Sequence, residues 1–122
     1  MAIGRDAQPL RVLQVTNATL VYLEFTSLSG VLTDVKVPPG WALADFSSGV
    51  AALTFPTDYD VFFPFEGQEN TDNASATSRH RLVTKTIDVT LGTASVRAID
   101  DNDATTENPV DGTFRLCYLV GN

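Results

Sequence analysis

TFRLCYLV, residues 113–120, decides the fold class. Phe114, Leu116, Tyr118 and Val120 alternate with Thr113, Arg115 and Cys117. A period of two sends the first set to one face of a sheet and the second to the other, so the segment is predicted as a strand. Asp111-Gly112 just before it is a turn signal. The same alternation recurs along the chain. Val21, Leu23 and Phe25 alternate with Tyr22, Glu24 and Thr26, and Val31, Val35 and Val37 with Leu32, Asp34 and Lys36. Tyr59, Val61, Phe63 and Phe65 alternate with Asp60, Phe62 and Pro64. Val83, Ile87, Val89 and Leu91 alternate with Thr84, Thr86, Asp88 and Thr90, and that pattern places the first set on the core face, thinned by Lys85. No stretch carries a helical i, i+3, i+4, i+7 pattern over eleven residues.

Turn chemistry punctuates these runs. Leu28-Ser29-Gly30 separates two strands at hairpin distance. Pro38-Pro39-Gly40 suits a turn with Pro second and Gly where φ is positive. Ser47-Ser48-Gly49 and Leu91-Gly92-Thr93 read the same way, whereas Trp41 to Phe46 fits either a short helical turn or a strand. Strands about 8–12 residues apart are the spacing of a sandwich or barrel. The expected fold is all-β: an antiparallel β-sandwich or jelly-roll-like barrel with long polar loops and a loose N-terminal arm. Residues 1–9 form the arm and 10–122 a single β domain. The polar loops are 66–80 (EGQENTDNASATSRH) and 100–109 (DDNDATTENP).

Composition agrees. Thr (15) and Val (13) lead, with Leu and Ala at 12 each, while Glu (4) and Lys (2) are scarce, which favours strand over helix. The 43% hydrophobic and 19% charged residues exclude a wholly disordered chain. No apolar run approaches the ~18–20 residues of a membrane-spanning helix. The start, MAIGRDAQPL, has no apolar core of a secretory signal. The net charge of −7 is unlike the basic footprint of nucleic-acid binders and the basic segments drawn to anionic membranes. Neither nucleic acid nor membrane is expected as a partner, and the charge serves solubility. A single cysteine, Cys117, forms no intrachain disulfide and fits a reducing cytosol.

The chemistry-bearing residues do not assemble into a catalytic motif. His80 is the lone histidine, between Arg79 and Arg81 in the long polar loop, and Cys117 sits inside the last strand as an inert thiol. One His and one Cys cannot complete a zinc set. Asp101, Asp103 and Glu107 resemble an oxygen-rich loop, but the sixth and twelfth positions from Asp101 are Thr106 and Gly112, where a calcium loop needs Gly and Glu. A solvated acidic loop is the expectation, with no catalytic residue, no metal and no cofactor. Asn17-Ala18-Thr19 and Asn73-Ala74-Ser75 match a glycosylation sequon, which means nothing without secretion.

The aromatic residues point to an interface. Phe55, Tyr59, Phe62, Phe63 and Phe65 fall within eleven residues, with Pro56 and Pro64 among them, and proline confines a strand to an edge or an end. Phe62 lies on the face opposite Phe63 and Phe65. Trp41 is either a core plug or an interface anchor. The runs Leu20 to Leu23 and Leu116 to Val120 (apart from Cys117) are apolar on both faces. One face suits the sandwich interior and the other a neighbouring chain.

This profile resembles the small structural proteins of tailed bacteriophages, in particular capsid decoration (cement) proteins. The shared features are the start without a signal, the arm from Met1 to Pro9, the Thr- and Val-rich β body, the polar loops and the acidic charge. The resemblance implies a binding role without chemistry. It implies a homo-oligomer, a trimer first, on the capsid exterior, made in the host cytoplasm and bound to the major capsid protein or another virion protein. The arm, with Ile3, Arg5 and Pro9, would lie along the shell, and Trp41, Tyr59, Phe62, Phe63 and Phe65 would join protomers. Loop 66–80 would face solvent or a neighbouring shell protein. The alternative is a tail, fibre or carbohydrate-binding β domain that stacks Trp41 or Tyr59 on a sugar ring.

Overall fold

A computed structural model of the chain describes residues 18–69, 81–99 and 112–122. The arm of residues 1–9, His80, Asn73, the acidic loop 100–109 and most of loop 66–80 lie outside the described residues. The strands are β1 (Thr19–Leu28), β2 (Val31–Lys36), β3 (Ala42–Leu43), β4 (Val50–Thr54), β5 (Val61–Pro64), β6 (Gly67–Glu69), β7 (Arg81–Asp88), β8 (Thr93–Ile99) and β9 (Gly112–Gly121). Every pairing between them is antiparallel. Hydrogen bonds connect them in the order β2-β1-β9-β6-β7-β8-β4-β3, with β5 also on β9. The path folds over at β6 into two packed sheets, β2-β1-β9-β5 and β7-β8-β4-β3. The result is a β-sandwich and not a closed barrel. At the far edge, single bonds tack the outer segments together: Phe46 N–H donates to Gly30 O at 2.8 Å and Leu32 N–H to Asp45 Oδ1 at 2.9 Å.

The hairpin turns follow from residues that tolerate positive φ. Ser29 and Gly30 (53° and 83°) and Ser48 and Gly49 (51° and 79°) form two-residue links of the primed type, whose twist matches the strands they join. In the Pro38-Pro39-Gly40 turn, Trp41 N–H donates to Pro38 O at 3.1 Å and Gly40 has φ of 86°. Trp41 to Phe46 holds a two-residue strand, Ala42–Leu43, and no helical turn.

The core is the space between the sheets. From the first sheet come Val21, Leu23 and Phe25 of β1 and Phe114, Leu116, Tyr118 and Val120 of β9, all buried as their alternation predicts. The second sheet supplies Ala51, Leu53, Leu82, Ala94, Val96 and Ala98. Small side chains on β4 and β8 leave room for the rings opposite. Phe25 touches Phe46 and Phe114, while Trp41, Phe55, Tyr59, Phe62 and Tyr118 form a second ring cluster with centroids 4.3–6.5 Å apart.

Two strands depart from their predicted faces. On β7 the inward residues are Leu82 and Thr84, while Val83 is half-buried and Ile87 and Leu91 are exposed. Thr84 turns inward because its hydroxyl shares a 2.7 Å hydrogen bond with the Tyr118 hydroxyl across the sandwich. Beyond Lys85 the register breaks, with Thr86 at φ 56°, and the periodicity loses its meaning. On β2, Val31 and Val35 are exposed, whereas Leu32 and Val37 pack against the core. Asp34, at φ 50°, inserts an extra residue between the pairs Glu24–Lys36 and Thr26–Thr33, which shifts the parity.

β6 was expected to be part of a polar loop. It is the join between the sheets: Gly67 pairs with Leu82 and Gln68 with Arg81 on one side, and Gln68 and Glu69 pair with Arg115 and Phe114 on the other. A Cβ on Gly67 would collide with the Leu116 side chain and lie 2.9 Å from Leu82 Cβ. Only glycine lets the two sheets approach here.

Gly67→Ala should lower stability by about 1–3 kcal/mol through overpacking, measured by urea unfolding. Tyr118→Phe should cost about 1–3 kcal/mol, because Thr84 keeps a buried hydroxyl without its partner. Burial pushes the Tyr118 phenol up to about 12, against the lowering effect of the Thr84 bond. Its folded pKa therefore exceeds its ordinary value of 10. The corresponding stabilisation is whole below pH ~10 and declines as pH rises from there towards ~12, because the unfolded chain loses the proton first. Tyr118→Phe should lack that alkaline component in unfolding curves taken at a series of pH values.

Candidate interaction surface

The strands of the first sheet are apolar on both sides, so filling the core leaves a second apolar face pointing outward. Register places its residues in rows, because directly opposed residues share a face. Leu20, Leu119 and Phe63 form one row across β1, β9 and β5. Tyr22 and Cys117 form the next, continued by Phe65, whose N–H donates to Cys117 O at 3.1 Å. Leu20 is 46% exposed, Tyr22 56%, Phe63 50% and Phe65 44%. The Phe63 and Phe65 rings touch at a centroid distance of 5.4 Å. Leu119 and Cys117 fill the middle, half-buried.

Polar groups border this patch. Glu24 lies opposite Arg115 on β9 and Lys36 on β2, with ion pairs of 3.4 and 3.8 Å. Thr26 and Thr113 share a 3.2 Å hydroxyl contact one row further on. Exposed pairs of this kind contribute little to stability, and their effect is to set a charged rim. Four large side chains, each about half exposed, present on the order of 400 Å2, taking ~200 Å2 for a whole large side chain. An apolar centre of that size with a polar rim suits a protein interface of ~800 Å2 per partner. The outward side of the second sheet differs: its central rows are Ala52-Ser95-Lys85 and Val50-Arg97-Val83, in which charged and small residues interrupt two half-buried valines.

The candidate residues separate by face. Phe63 and Phe65 lie on the outward patch. Trp41, only 6% exposed, is the core plug of its two expected roles, and Tyr59 and Phe62 pack with it against Phe55 and Tyr118. A buried Trp41 offers no face for stacking on a sugar. Ile3, Arg5 and Pro9 lie outside the described residues. Leu20, Tyr22 and Leu119 complete the patch, and their signal was the apolarity of both faces in the runs Leu20–Leu23 and Leu116–Val120. Burial raises the pKa of the Cys117 thiol above its usual value, which keeps it in the unreactive protonated form at neutral pH.

Between the sheets at the β6 join, Pro64, Phe65, Glu66, Val83 and Thr84 line a cleft of about 100 Å3, well below the ~300 Å3 of a small-molecule site. Among the described residues, no three His, Cys, Asp or Glu side chains cluster as metal ligands. Compared with protein-family models, with curated proteins and with solved structures, the chain matches none.

The two faces predict opposite responses to substitution. Phe62→Ala should cost about 3 kcal/mol by emptying part of the core. Tyr22→Ser and Phe63→Ser should each stay within roughly 1 kcal/mol, because water already reaches those side chains. Equilibrium unfolding of the three variants distinguishes the faces.

Proposed function

We propose that the chain is a virion structural protein, a capsid decoration protein that binds and stabilises an assembled shell as a homo-oligomer. The observation that carries this reading is the outward apolar face of β1, β9 and β5. A contiguous patch of Leu20, Tyr22, Phe63 and Phe65 on a domain with net charge −7 is a surface kept for another protein. The likeness in composition and layout to decoration proteins names the partner class: a major capsid protein or another virion protein. Stabilisation then follows from mass action. A protein that binds only the assembled shell stabilises it by RT ln(1 + [L]/Kd), and copies arrayed on a symmetric shell act together.

The test combines two measurements on the full chain. Light scattering over a concentration series should give a closed oligomer, a trimer first, which Tyr22→Ser with Phe63→Ser dissociates. Sedimentation with undecorated shells of a tailed phage should carry down the wild-type chain and leave that double variant in solution. A strict monomer at every concentration that stays in the supernatant overturns the proposal.

A further inference from the structure

The turn between β7 and β8 presents a leucine on a fixed frame. Thr90 N–H and Leu91 N–H both donate to Asp88 Oδ1 at 3.0 Å. Gly92 N–H donates to Asp88 O at 2.8 Å, and Phe55 N–H donates to Gly92 O at 2.9 Å, which ties the turn to the end of β4. Gly92 has φ of 68°, and a Cβ there would collide with Phe55 O. Val89, at the start of the turn, packs against the core. Between these anchors the Leu91 side chain is 68% exposed. A residue held in this way has already lost backbone freedom that a partner would otherwise have to restrict. Leu28, 67% exposed, differs: it lies opposite Val31 on its own hairpin and shares a face with it.

The cleft lined by Pro64, Phe65, Glu66, Val83 and Thr84 has room for such a side chain. Its volume of about 100 Å3 matches the four carbon atoms of a leucine side chain at roughly 25 Å3 each. Pro64, Phe65 and Val83 give it apolar walls. Phe65 also belongs to the outward apolar face, where its ring touches Phe63, so the cleft continues that face. From Val83 to Asp88 β7 spans about 16 Å, so Leu91 stands well away from the cleft of its own chain. We infer that Leu91 of one copy inserts into this cleft of a second copy, beside Phe65. The inference rests on the homo-oligomer of the reading above and names its anchor. A projecting side chain in one place and a cleft in another let every copy enter one neighbour and receive the next, the head-to-tail contact that closes rings. Side chains that fill a desolvated pocket carry a large share of binding energy.

Light scattering over a concentration series, on the full chain and its variants, tests this inference. Leu91→Ser removes the anchor and Val83→Phe fills the cleft. Each should raise the concentration for half-assembly at least tenfold. Leu91→Ser should keep the wild-type urea midpoint, because water already reaches that side chain. Leu91→Met, of similar volume, should assemble like the wild type. Mixing gives the readout that a loss of folding cannot imitate. The Val83→Phe chain keeps its Leu91 and the Leu91→Ser chain keeps its cleft, so an equimolar mixture should form a one-to-one dimer that neither variant forms alone. A wild type that assembles together with a Leu91→Ser variant that assembles equally well overturns the inference and leaves the oligomer standing, and this comparison suffices if Val83→Phe does not fold. A mixture of folded variants that stays monomeric overturns it too. A wild type that is monomeric at every concentration overturns both the inference and the oligomer.

Discussion

The sandwich depends on the close approach at Gly67. A three-residue strand bonded on one side to β9 and on the other to β7 ties two sheets into one hydrogen-bonded path, and a Cβ at its first residue would strike both neighbours. The other cross-sheet features follow from that closeness. With Leu116 and Leu82 held beside Gly67, β9 and β7 are near enough for the Tyr118 and Thr84 hydroxyls to meet at 2.7 Å. The small residues Ala51, Ala94 and Ala98 leave room for the rings of the opposite sheet. On the exposed side of the same join, Arg81 Nη1 donates to Glu66 Oε2 at 3.1 Å and braces the residue just before β6.

The division of labour between the sheets follows from side-chain supply. β1, β9 and β5 carry apolar residues at odd and even positions, so one set makes the core and the other forms the outward apolar face. On β4, β7 and β8 the outward valines Val50 and Val83 flank Arg97, and Ala52, Ser95 and Lys85 make up the next row, so charge interrupts the apolar residues of that face. Charge supports this arrangement. The acidic balance keeps the free chain soluble while Glu24, Arg115 and Lys36 confine charge to the border of the patch. Binding through its centre then requires little desolvation of ions.

Much of this was legible in the amino-acid sequence where a strand is regular. The inward sets Val21-Leu23-Phe25 and Phe114-Leu116-Tyr118-Val120 follow from period two alone, and so does the split between Phe62 and the pair Phe63 and Phe65. Legibility failed where the backbone departs from period two. Asp34 and Thr86 adopt positive φ, and each shifts the parity of its strand. Thr84 reads as a solvent residue because its partner, Tyr118, is 34 positions away. Gly67-Gln68-Glu69 has no apolar pattern, since its place in the sheet depends on a missing side chain. Trp41 was ambiguous because a large ring after a tight turn suits a core and an interface equally, and only the rings around it decide.

The pairing of β1 with β9 joins residues far apart in the chain: Thr26 and Thr113 meet across 87 positions. The hairpins β1-β2 and β8-β7 need only local contacts and close at little entropic cost. The pairing that builds the outward face must instead enclose most of the chain in one loop. The rows Leu20-Leu119-Phe63 and Tyr22-Cys117-Phe65 therefore rest on the pairing with the largest loop-closure cost among the described strands. A chain in which β1 and β9 are unpaired has these side chains but not the surface they make.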